Sequence, residues 1–218
     1  MSTYAVSELV KEVKVLLDRN QETSGLLTPT DTDTLSQGEL IQSKIVDAAR
    51  IILEDAPASM LDGEKFDELK TAWAESNGAY VGTVYLPSDM IRLLNVKASD
   101  WNRSAEIITE EDDAYKIQCN RFGVRGNPER PIAALIHNSG NRYLELFTSK
   151  SNAATVSLTY VGMPSISEGN IDLPETLKDS IVYMAGYLTC ISLGDTDTAS
   201  GLLGVARKLA HIVEPTTS

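Results

Sequence analysis

No stretch of this 218-residue chain approaches the ~20 consecutive apolar residues that a membrane-crossing helix needs, so no bilayer span is expected. Cysteine is scarce. Cys119 and Cys190 are the only two, far apart and outside any metal-ligand spacing, so buried or half-buried free thiols in a reducing compartment are expected rather than a disulfide. Histidine is equally short: with only His137 and His211, nucleophile–base pairs are poorly supplied, and packing or surface roles suit both. Basic charge is in deficit too, with 19 lysines and arginines against 31 aspartates and glutamates. A formal charge of −12 argues against a protein that coats nucleic acid by charge alone, because such domains are strongly basic. The N-terminus "MSTYAVSELVKEV" carries neither the basic flank nor the apolar stretch of a signal peptide. Use in the cytoplasm, or in something assembled there, is the expectation.

The remaining chemical motifs are missing as well. The run Glu110, Glu111, Asp112, Asp113 lacks the alternate-residue spacing of a calcium loop and reads as a solvated stretch. "GVRGNPERP" lacks the lysine and hydroxyl that close a phosphate-binding loop, and it does not match a dinucleotide fingerprint. No catalytic residue, cofactor site or metal site is expected, and enzyme function is disfavoured.

What is present is enough for a folded protein: 42% apolar and 23% charged residues, one sizeable core or one core with an inserted subdomain. Val6, Leu9, Val10, Val13, Leu16 and Leu17 recur at helical spacing, predicting an amphipathic helix over 4–19. The polar, turn-rich "NQETSGLLTPTDTDTLSQG" at 20–38 reads as a flexible arm. A second helix begins at a capping box formed by Ser36 and Glu39 and ends at Ala56-Pro57. From 78 onward the period changes. "GAYVGTVYLP" and "ATVSLTYVGMP" read as strands, and "PIAALIHNSGNRYLELFT" as a hairpin turning at Ser139-Gly140-Asn141. The segment 88–103 fits a strand through Ile91, Leu93 or Leu94, and Val96, or a short helix through Met90, Leu93, Leu94 and Lys97; the extended reading is favoured. Helix returns in 172–194, with Asp172 or a neighbour as cap, Pro174 in the first turn and Gly194 as the stop. A last helix follows in 195–213, with Asp195 and Asp197 at its positive end and Arg207, Lys208 and His211 near its negative end.

The expected fold is therefore α+β: an antiparallel helical bundle of two N-terminal and two C-terminal helices with a β-rich insert between them. Along the chain it divides into 1–77 (N-terminal helices with the arm), 78–164 (insert) and 165–218 (C-terminal helix pair).

Charge singles out one place. Residues 116–150 hold six basic side chains and two acidic ones, an island in an acidic chain. Its densest part is "RFGVRGNPERP" at 121–131, with Arg121, Arg125 and Arg130. Gly123 and Gly126 permit positive φ and Asn127-Pro128 starts a turn, so the stretch reads either as a rigid turn or as a device presenting the arginines to phosphates or to an acidic face of a neighbouring subunit. Trp101, after Asp100 at the end of an apolar segment, is expected to anchor the insert to the bundle with its indole N–H on a polar partner, or else to face a partner protein.

The succession "YLPSDMIRLLNVKASDWNRSA", "YKIQCNRFGVRGNPERPIAAL", a strand hairpin, "SLTYVGMP" and two closing helices resembles a family of tailed-bacteriophage head-to-tail connector proteins. These are adaptor or neck-ring subunits, and the likeness is closest to the ring proteins of crAss-like and podovirus-type phages. It spans roughly residues 36–213 and rests on order and spacing, carried by Leu86-Pro87 with Asp89, Asp100-Trp101, the loop Gly123 to Pro128, and Tyr160 to Pro164. The resemblance implies a helical bundle with a β-rich insert, and a dodecameric ring that docks under the portal and passes DNA through its lumen. It implies no catalytic residues. Localisation would be the virion neck, assembled in the host cytoplasm, with portal and further neck or tail proteins as partners and no membrane contact. Two other classes stay open: a nucleic-acid-binding regulator using the basic insert, and a small metal-dependent hydrolase using the acidic run.

Overall fold

The computed structural model of the chain describes residues 1–17, 36–69, 71–76, 79–120, 125–138 and 140–213. Of the arm expected at 20–38, only Ser36, Gln37 and Gly38 are described; the rest of it, Arg121 and the tail 214–218 lie outside the described residues. In chain order the elements begin with β1 (Ser2–Ala5), α1 (Val6–Leu16) and α2 (Gln37–Asp55). Then come β2 (Glu64–Leu69), β3 (Ala72–Ser76), β4 (Ala79–Tyr85), β5 (Met90–Ala98) and β6 (Glu106–Thr109). A short helix α3 (Asp113–Cys119) precedes β7 (Ile132–Asn138), β8 (Asn141–Ser149) and β9 (Val156–Gly162). The chain closes with β10 (Ile166–Ser167), β11 (Asn170–Leu173), α4 (Lys178–Ser192) and α5 (Thr196–Leu209).

These elements form two compact units, Met1–Asp62 with Met163–Ser218, and Gly63–Gly162. In the first, α4 touches α1, α2 and α5. Its buried residues include Ser180, Ile181, Val182, Met184, Ala185, Gly186, Thr189 and Cys190, more than one stripe of the helix, as a central helix requires. Gly186 permits the approach: a Cβ there would stand 3.1 Å from Leu16 and 3.4 Å from Leu202. The capping box of α2 forms as expected, with the Ser36 amide donating to Glu39 at 2.7 Å and the Glu39 amide to the Ser36 hydroxyl at 3.3 Å. A three-stranded antiparallel sheet of order β1-β11-β10 completes this unit.

The second unit is two sheets face to face. One is three-stranded, of order β2-β9-β5; the other is five-stranded, of order β3-β4-β8-β7-β6, antiparallel except for the parallel pair β6 and β7. Val84, Ala133, Leu144 and Leu146 of the larger sheet meet Val96, Ala98, Val156 and Leu158 of the smaller one, and Trp101 joins the same core. The other face of the larger sheet buries Ile108, Ala134, Ile136 and Phe147 under Ala114 and Tyr115 of α3. Both faces of β7 are thus covered, which is why "PIAALI" reads as an unbroken apolar run.

The helical bundle carrying a β-rich insert is overturned. The chain is α+β and rich in sheet, with five α-helices and eleven strands in three sheets among the described residues. The strands β2 to β9 have their own two-sided core and make up a unit rather than a decoration. Local pattern hid several of them. β2 and β3 are sheet edges, and the charges of "EKFDEL" that protect an edge also erase its alternation. Tyr4 and Ala5, read as the start of the first helix, lie in β1, paired with Ile171 and Asn170 far along the chain. Asp172 caps nothing. It sits in β11 and accepts from the Thr3 hydroxyl at 2.6 Å, and α4 starts only at Lys178 after one 3-10 turn. His211 lies just past α5 with a positive φ of 53°, not on the helix. Both cysteines are free, but Cys119 is exposed where a buried or half-buried thiol was expected.

Candidate basic docking end

Three loops meet at one end of the sheet unit: 99–105 after β5, 125–131 before β7 and 150–155 after β8. Hydrogen bonds tie them together. The Asn102 amide donates to the Pro128 carbonyl at 2.9 Å, and the Asn102 side chain donates to Glu129. The Asp100 carboxylate accepts from the Lys150 amide at 2.6 Å and from the Ser149 hydroxyl at 2.9 Å. Thr155 donates its amide to the Ser99 hydroxyl at 3.2 Å.

The arginine-bearing turn is fixed most firmly. Asn127 and Arg130 exchange backbone hydrogen bonds at 3.1 and 2.9 Å, and the Asn127 side-chain oxygen accepts from the amides of Glu129 and Arg130. The Gly126 peptide is gripped on both sides: its amide donates to the buried Gln118 side chain at 2.7 Å, and its carbonyl accepts from the buried Thr148 hydroxyl at 2.7 Å. Gly126 does not use the positive φ that glycine permits. It is glycine because a Cβ would come within 2.7 Å of the Phe147 carbonyl oxygen and 3.0 Å of the Ile132 nitrogen. Gly123 lies outside the described residues.

Trp101 is the floor under this assembly. Only 2% exposed, it packs in the core of the sheet unit, and its indole N–H donates to the Thr148 carbonyl at 3.0 Å. It is a buried ring with a satisfied N–H, as one reading held, but its packing partners are strands of its own unit and not a helical bundle.

On these loops stand Arg103, Arg130 and Lys150, all exposed, and the half-buried Arg125. Among the described residues none of the four is in an ion pair. Arg125 donates through Nη1 to the Ser76 hydroxyl at 2.8 Å, while its Nε is buried with no hydrogen-bond partner. A guanidinium half withdrawn from water and given only a neutral acceptor does little for stability, because desolvation opposes it. The acids of these loops are Asp100, whose Oδ2 accepts two hydrogen bonds while its Oδ1 is buried with no partner, and Glu129, which accepts from Asn102; the four cations outnumber them two to one. The end is therefore cationic, and its chemistry is the attraction of carboxylates or phosphates.

The sequence island does not map onto this end as a whole. Lys116 pairs with Asp113 on α3 at 2.7 Å. Arg142 stands at the opposite end of β8, where it donates to the Ser88 carbonyl at 3.3 Å. Arg121 lies outside the described residues. Lys150, the last residue of the island, does stand at this end, and the fold adds Arg103 from outside the island through the loop contacts, which no local signal in the sequence announces. The acidic run does not form a metal centre: Asp112 accepts from the amide and hydroxyl of Thr109, and no metal-binding group of three or more His, Cys, Asp or Glu occurs among the described residues. His137 is exposed on β7 and pairs across the sheet with Arg142, at the far end of β8 from the basic turn. No helix among the described residues is long and apolar enough to cross a membrane.

No protein-family model matches the chain, and no curated protein matches it significantly.

Proposed function

We propose that this chain is a structural subunit of a tailed-phage head-to-tail connector. It is one copy in a homo-oligomeric ring that docks to the portal protein, joins it to further neck or tail proteins and lines the DNA channel. On this reading it acts in the virion neck, is assembled in the host cytoplasm, and works without a cofactor or catalytic residue. The order and spacing of the segments at 85–105, 115–135 and 157–164 support it. The observation that carries it is the basic end: cations held on interlocked loops, free of ion pairs among the described residues, in a chain of net charge −12. Copies of an acidic chain offer carboxylates everywhere, so a localised cationic end fixes how neighbours and partners meet. The excess of acid elsewhere suits a channel, because tight phosphate contacts would stall passing DNA.

Imaging by negative stain, with mass photometry of the purified chain alone and mixed with its portal at micromolar concentration, tests this. Closed rings on the portal are expected. A chain that stays monomeric beside the portal overturns the proposal. Arg125→Glu with Arg130→Glu is expected to abolish ring formation and leave the fold intact. The same cations would serve a nucleic-acid-binding regulator, and a salt-sensitive gel shift with short DNA in the absence of any ring would favour that function instead.

A further inference from the structure

We draw no further inference here: the strongest candidate, the uncharged stretch of the larger sheet's outer face along β3 and β4, where Ala72 and Ala74 lie beside Val81, Thr83 and the exposed Tyr85, carries nothing because nothing in the structure shows what covers it.

Discussion

The two units divide charge as differently as they divide secondary structure. Met1–Asp62 with Met163–Ser218 holds eighteen acidic and eight basic side chains, while Gly63–Gly162 holds thirteen and eleven. In the helical unit, side chains of both kinds stand on solvent faces of amphipathic helices, and several are paired off, Arg50 with Glu54 along one helix and Lys178 with Glu12 between two. In the sheet unit, loops far apart in sequence end side by side because strands return to the same edge, so cations can be gathered at one place. Net charge therefore says little about a site. A chain of −12 can still present a cationic end when its topology collects the loops that carry it.

The comparison is broken most directly at Trp101. Trp101→Ala removes the largest ring from the core of the sheet unit and the hydrogen bond to Thr148, and a loss of ~3–5 kcal/mol is expected in urea denaturation. Following the sheet unit by its near-ultraviolet dichroism and the helical unit by the 222 nm signal shows whether they unfold separately. Coincident transitions would mean that the two differ in architecture but not in cooperativity.

Two glycines sharpen it. Gly126→Ala forces a Cβ to within 2.7 Å of the Phe147 carbonyl oxygen and is expected to destabilise by ~1–3 kcal/mol. Gly201→Ala on α5, where a Cβ meets nothing, is expected to do the reverse and stabilise the isolated chain by ~0.5–1 kcal/mol. Equal signs in thermal melts would show that one of the two glycines is misread.

Alkaline pH should act on both units: in the helical unit through Lys178, whose pKa is raised by its hydrogen bond to Glu12, and in the sheet unit through two tyrosines. Burial, with the nearby carboxylates of Asp89 and Glu64, pushes the Tyr160 phenol from its ordinary 10.0 up to about 12. Tyr115 is pushed upward as well, by burial first and then by its hydrogen bonds to Cys119 and Glu145. The folded chain keeps these protons to a higher pH than the unfolded chain does. Their contribution to stability is thus complete below pH 10.0 and declines as pH rises through about 12. Phenolate absorbance recorded alongside urea denaturation at stepped pH is expected to show late-titrating tyrosines and a stability that falls in this window.

Smaller effects belong to the surface. Ser36→Ala removes half of the α2 capping box and is expected to cost about 1 kcal/mol, seen as a lower melting temperature of the helical signal. Arg130→Glu is expected to shift stability by no more than ~0.5 kcal/mol, because Arg130 is exposed and its turn is held by backbone and Asn127 contacts. A large loss there would make the basic end a structural device.

Legibility followed locality. α2 with its cap, the hairpin of β7 and β8, and the alternation of Val156, Leu158 and Tyr160 in β9 all rest on neighbours within a few residues, and all formed. The extended reading of 88–103 also held, as β5. The edge strands β2 and β3 and the pairing of β1 with β11 did not show, since an edge carries charge and a pairing across most of the chain leaves no periodic trace. At the candidate site, Arg125 and Arg130 stood out as a cluster in sequence. Arg103 and the clamp from Gln118 and Thr148 did not, because only the folding of separate segments side by side brings them to the turn.

By itself, then, the sequence determined the bodies of α1, α2, α4 and α5, the strands β4, β5, β7, β8 and β9, and where basic residues are dense, because those properties are settled by spacing and by the backbone preferences of single residues. Tertiary structure decided the rest: that the strands make a unit with its own two-sided core, that Trp101 belongs to that core, and that Arg103 and Lys150 stand with Arg125 and Arg130 while Lys116 and Arg142 do not. The physical reason is that a strand buries its face only against another strand or sheet. Which partner it takes, and so which loops end together, is a property of the assembled sheets and not of any one segment.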